Sequence, residues 1–261
     1  EGNTIGSAET NNGASVEVSS QLAPFIDLVV ENVQPEPAAG WGPGDTVTLR
    51  WTTRNAGTLA TESGFSERIV ARNTSSGQNF VVATVPVSDV LGAGESREGS
   101  YQIVWPQGLT AHGNFQFTVT TDILDQETEA NSEGTGETKN ATIATVLSAP
   151  DLTIANLAIA ETAPSAGDTI TLTWDESNAG NAATLAGWTD RVYVQNLDTG
   201  EVLIDTAVAS LTALIAGETR QKTFAFALPD GERSVGRIRV SIYTDRGAGG
   251  AAGTVREISE G

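Results

Sequence analysis

Six acidic side chains fall within one short run of the chain, DILDQETEANSEGTGE: Asp122, Asp125, Glu127, Glu129, Glu133 and Glu137, with no Lys or Arg among them. Hard divalent cations take about six to eight oxygen ligands, and clustered carboxylates with loop carbonyls supply them. Asp122, Asp125, Glu129 and Glu133 are therefore candidate ligands of a calcium ion. A solvated acidic loop is the plainer reading of the same residues. The run contains no EF-hand loop, and the later GAGGAAGT (Gly247 to Thr254) lacks the aspartate of calcium-binding nonapeptide repeats.

Other chemistry has little to build on. His112 is the only histidine and cysteine is absent, so thiol catalysis, disulfides and His- or Cys-ligated metal clusters are excluded. No enzyme activity is expected. Lys139 and Lys222 are the only lysines; neither lies on an evident apolar strand face, so a Lys–Asn crosslink is not expected. Asn73 and Asn140 match the short N-glycosylation pattern. Trp188, followed by Thr189 and Asp190, stands in a loop-like context, as does Trp41. Trp188 and Asp190 are the candidate contacts for a carbohydrate or another surface ligand. Trp51 and Trp174 fall on apolar faces and read as core.

The elements that must carry these residues are strands. In TVTLRWT, Val47, Leu49 and Trp51 alternate with Thr46, Thr48 and Arg50; Ile170, Leu172 and Trp174 repeat the pattern. A period of two marks a strand with one buried face. Phe115, Phe117 and Val119 form another such set, as do Ile238, Val240 and Ile242. The repetition extends along nearly the whole chain. GDTVTLRWTTRNAG matches GDTITLTWDESNAG, GFSERIVARN matches GWTDRVYVQN, and NFQFTVTTD matches RIRVSIYTD, with a period of about 125 residues, an ordinary domain length. The shared Asn-Ala-Gly reads as a turn, because Asn and Gly accept positive φ. Two tandem immunoglobulin-like antiparallel β-sandwiches are expected, over residues 23–148 and 149–261, in an all-β protein.

Bulk composition agrees. The 261 residues are 39% hydrophobic, enough for two cores, and carry a net charge of −19. That charge argues against nucleic-acid binding, which needs cations to neutralise phosphate. No apolar run approaches the roughly 20 residues of a membrane-spanning helix, so membrane insertion is not expected.

The matched phrases, in their order, resemble the CARDB family, the cell-adhesion-related domain found in bacteria. They are APDLTIANL opening a unit, GDTITL before a Trp strand, NAG after it, GWTDRVYV in the next strand, and the acidic segment before the last strand. The first unit departs at Phe65, Ser66 and Glu67, where the second has Trp188, Thr189 and Asp190. The resemblance implies an immunoglobulin-like sandwich, an extracellular or bacterial cell-surface setting, a structural or adhesive role with a cell-surface or matrix ligand, and no catalysis. A calcium-dependent ligand-binding module of a large adhesin is the alternative it leaves.

The opening EGNTIGSAETNNGASVEV aligns with EGTGETKNATIATV, which runs into the last strand of the first unit. Residues 1–22 therefore read as the final strand of a preceding unit, while the second unit stops at VREISEG without one. Val16 and Val18 are expected to enter the vacant groove of a second sandwich, as Ile143 and Val146 would in the first. Copies of the chain, or neighbouring repeats, would then be joined by strand complementation into an open filament. An excerpt of a longer repeat protein explains the same limits.

Overall fold

A computed structural model describes residues 13–138, 141–185 and 187–257. The first half contributes seven strands: β1 (Leu28–Glu36), β2 (Thr46–Asn55), β3 (Phe65–Asn73), β4 (Gln78–Val87), β5 (Ser96–Val104), β6 (Gly113–Thr120) and β7 (Ala141–Ser148). The second contributes β8 (Leu152–Ile159), β9 (Thr169–Asn178), β10 (Trp188–Asn196), β11 (Val202–Ser210), β12 (Thr219–Ala227) and β13 (Ile238–Tyr243). The only helical elements among the described residues are short 3-10 turns. All named strand pairs are antiparallel, and the protein has the β-sandwich architecture expected from the alternating sequence.

In the first unit a sheet ordered β1-β2-β5 faces one ordered β4-β3-β6-β7; in the second, β8-β9-β12 faces β11-β10-β13. Inward residues alternate along each strand. Val47, Leu49 and Trp51 of β2 meet Ile69, Phe115, Phe117 and Val119 from the opposite sheet. Ile170, Leu172 and Trp174 of β9 meet Val192 and Val194 in the same way. The first core is richer in rings: Trp105 stands edge-on to Phe115 at 4.6 Å and to Trp41 at 5.3 Å. Trp41, expected in an exposed loop, is only 1% exposed.

The Asn-Ala-Gly turns are internal braces. Asn55 Oδ1 accepts from the amides of Asp27 and Gly57, while its Nδ2 donates to the carbonyls of Leu59 and Leu91. Asn178 does the same with Asp151, Gly180, Ala182 and Leu214. A Cβ on Gly57 would lie 2.3 Å from the Phe25 carbonyl oxygen, so the strand entry requires glycine there. Asn32 and Asn156 adopt φ of 55° and 52° at matching bulges in β1 and β8.

Within the first unit Ser148 Oγ donates to the Trp41 carbonyl; between the units Asn181 Nδ2 donates to that of Leu147 at 2.8 Å. His112 is fully buried near the Ala183 backbone. Burial lowers its pKa, opposed by the Ala183 backbone and reinforced by the charge of Arg256.

The units differ at one edge. β6 is covered by β7, with Phe117 opposite Ala144 and Phe115 opposite Val146. Because Phe115, Phe117 and Val119 point inward, so do Thr142, Ala144 and Val146. Ile143 therefore faces out and is 58% exposed, contrary to the expectation that it enters the core beside Val146. Residues three apart on a strand cannot share a face. Among the described residues no strand covers β13 as β7 covers β6.

Candidate functional site

The acidic run does not gather into a metal centre. Asp122 turns inward, and its carboxylate accepts from the amides of Gln126 at 2.8 Å and Glu127 at 2.9 Å. Asp245, at the matching place in the second unit, accepts from Thr254 and Val255, both at 2.8 Å. Glu127 anchors the amides of Glu62 and Ser63. Glu129 accepts from the Leu28 amide at 2.7 Å and so ties the loop to the start of β1. Asp125 and Glu133 lie at the exposed surface. Among the described residues no three His, Asp or Glu side chains converge to hold an ion. The four candidate ligands are separated because buried backbone amides need acceptors, and the inward acids provide them. Burial pushes the Glu129 pKa up to about 8, with the charges of Glu137, Asp122 and Asp27 adding to the effect.

Trp188 and Asp190 also lie inside. Trp188 is 1% exposed and Asp190 fully buried, so neither presents a surface to a ligand. They sit on the inward face of β10, which the turn at Gly187 just before that strand obscured in the sequence. Trp188 Nε1 donates to Glu176 Oε1 at 2.7 Å. Lys222, on β12 of the facing sheet, donates to Asp190 Oδ2 at 2.8 Å and lies 3.7 Å from Glu176 Oε2. It also donates to Ser210 Oγ. Its ammonium stands 5.8 Å from the centre of the Trp174 ring. The side chain is 11% exposed, and this lysine faces inward in phase with Phe224 and Phe226 of the same strand.

The first unit solves the same position differently. Gly99 pairs with Trp51 as Lys222 pairs with Trp174. A Cβ at Gly99 would lie 2.2 Å from the Trp51 ring, so the indole fills the place the lysine occupies in the second unit. Trp51 Nε1 then donates to Glu67 at 3.1 Å, and Thr53 donates to the same carboxylate. Asn73 is fully buried, with its amide bonded to the Thr110 and His112 carbonyls, so that sequon is inaccessible to a glycan. Asn140 lies outside the described residues.

A cavity of about 590 Å³ lies beside β13, lined by Ile159, Ile170, Phe226, Val235, Ile238 and Val240 among others. It occupies the side of β13 that corresponds to the β7 side of β6. There, in the first unit, Ala144 and Val146 pack on the core and Thr142 Oγ1 donates to the Val30 carbonyl. Val16 and Val18 are 91% and 88% exposed, and residues 13–22 form no strand within the chain. Residues 1–12 of the expected donor lie outside the described residues.

No helix among the described residues is long and apolar enough to cross a membrane. No family model matches the sequence. No curated protein matches it either. Among solved structures, the chain is similar to the crystal structure of a Pyrococcus furiosus CARDB domain in complex with di-metal ions, at 20% identity over 49% of this chain and 97% of that one, TM-score 0.36. The solution structure of that domain aligns at 18% identity over 48% and 97%, TM-score 0.35. Red sea bream transglutaminase aligns at 12% identity over 86% of this chain and 30% of that one, TM-score 0.37. The immunoglobulin-like β-sandwich fold of this chain rests on its own strands and their pairing.

Proposed function

We propose that the chain is a non-enzymatic structural module of a secreted or surface-exposed bacterial protein, built from two CARDB-like repeats, whose second repeat is completed by a β-strand from a neighbouring repeat or copy. The observation that carries this reading is the apolar cavity beside β13, at the place that β7 fills in the first unit. An uncovered strand edge with an apolar face beneath it favours an added strand, since unpaired backbone groups and exposed core are both costly. Residues 13–18 supply a suitable one. When Asn12 is aligned with Asn140, Val16 falls on Ala144 and Val18 on Val146, the two inward positions of β7. Repeating one such head-to-tail contact yields an open filament.

Sedimentation of the intact chain beside a Val16→Asp/Val18→Asp double variant tests this. Both valines are exposed in the isolated chain, so the variant should fold normally. The intact chain should assemble end to end with rising concentration, and the variant should stay monomeric. A monomer at every concentration, or equal assembly by both proteins, would sink the reading.

A further inference from the structure

We propose that Lys222 and Asp190 form an intramolecular isopeptide bond that ties the two sheets of the second unit together, with Glu176 as the proton-relaying residue. The reacting groups are already in contact. Lys222 Nζ lies 2.8 Å from Asp190 Oδ2, the lysine is 11% exposed, and both carboxyl side chains are fully enclosed. Lys222 sits on β12 in register with Trp174, and Asp190 sits on β10 in register with Val208. These strands belong to opposite sheets, so an amide between them would staple the sandwich through its core. Holding two reactants in contact removes most of the entropic cost of a bimolecular condensation.

The surroundings suit the reaction. The pair is largely shielded from water, so the two groups hold one another in contact. Lys222 and Asp190 are accompanied there by Glu176, Ser210, Thr244 and the indoles of Trp174 and Trp188. The Glu176 pKa is raised by burial first and by the Asp190 charge second, so this carboxyl keeps a proton above the usual range. Asp190 Oδ1 is buried with no hydrogen-bond donor, and a proton on Glu176 would supply one.

The step balances without an external reagent. One proton passes from Lys222 Nζ to the Asp190 carboxylate, leaving a neutral amine and a carboxylic acid. The amine lone pair attacks Asp190 Cγ while Glu176 protonates the carbonyl oxygen. A second nitrogen proton is relayed through Glu176 to the departing hydroxyl, the C–O bond breaks, water leaves, and the carbonyl oxygen returns its proton to Glu176. Glu176 ends as it began, and no group is oxidised or reduced. The first unit lacks every participant: Gly99, Glu67 and Thr53 stand at the places of Lys222, Asp190 and Glu176.

Intact-mass measurement of the purified full chain, followed by tandem mass spectrometry of its peptides, tests the proposal. The chain should weigh one water less than its sequence, and a branched peptide should join the Asp190 and Lys222 segments. The full sequence mass, or a water loss located elsewhere, would overturn the bond. Asp190→Asn should still close the amide, losing ammonia in place of water. Glu176→Gln should retain the full sequence mass. If Glu176→Gln closes the bond as readily as the parent, the relay assigned to Glu176 is wrong even though the crosslink stands.

Discussion

Glu129 shows what a single buried carboxyl does to a loop of this kind. It holds the Leu28 amide, but it is enclosed among Glu137, Asp122 and Asp27, so its proton leaves only near pH 8. The unfolded chain releases that proton near the ordinary glutamate value of 4.5. Between these values the folded state binds the extra proton, so stability falls as pH rises. The contribution is full below the unfolded pKa and is lost as pH passes through about 8. Glu129→Gln keeps an oxygen for the Leu28 amide and removes the ionisation. Its melting temperature should match the parent's in acid and exceed it at mildly alkaline pH. A parent and variant that respond identically to pH would contradict the assignment. None of this was readable beforehand: the sequence displays six acids in a row, whereas which of them face inward depends on the path of the loop over β1.

At the scale of the element, the strands were legible and the loops were not. Alternation in TVTLRWT and TITLTWD declares both the strand and its buried face, and Trp51 and Trp174 are buried at equivalent positions. Trp41 and Trp188 carry no such pattern around them. Trp188 opens β10 directly after a glycine with φ of 94°, so its burial follows from a turn geometry that a short window does not reveal. Lys222 was misread for a related reason. A charged side chain masks the period there: Lys222 shares the phase of Phe224 and Phe226, which pack on the core, and the register opposite Trp174 places it inward with them. Parity explains the last error, since Ile143 is the larger side chain but Ala144 has the inward phase. The acidic loop of the first unit, whose inward carboxylates are satisfied by amides, should not depend on calcium. Thermal melts in calcium and in chelator should coincide; a melt raised by calcium would restore an ion to Asp122, Asp125, Glu129 and Glu133.

For the whole molecule, two versions of one sandwich differ in how they are completed. The first unit has seven strands, an aromatic core and β7 covering β6. The second has an apolar cavity beside β13 and a buried Lys222–Asp190–Glu176 cluster joining its sheets. The duplicated phrases reveal the shared plan, but that no described strand pairs with the outer side of β13 emerges only when the two sheet orders are set side by side. Amide hydrogen exchange in β13 gives the most direct test of strand uptake. The chain lacking residues 1–22 should be measured alone and with a synthetic peptide of residues 13–22. Added peptide should slow exchange across Ile238–Tyr243 and leave β6 unchanged, as expected if a strand docks on the uncovered edge. Exchange in Ile238–Tyr243 that is the same with and without saturating peptide would contradict strand complementation.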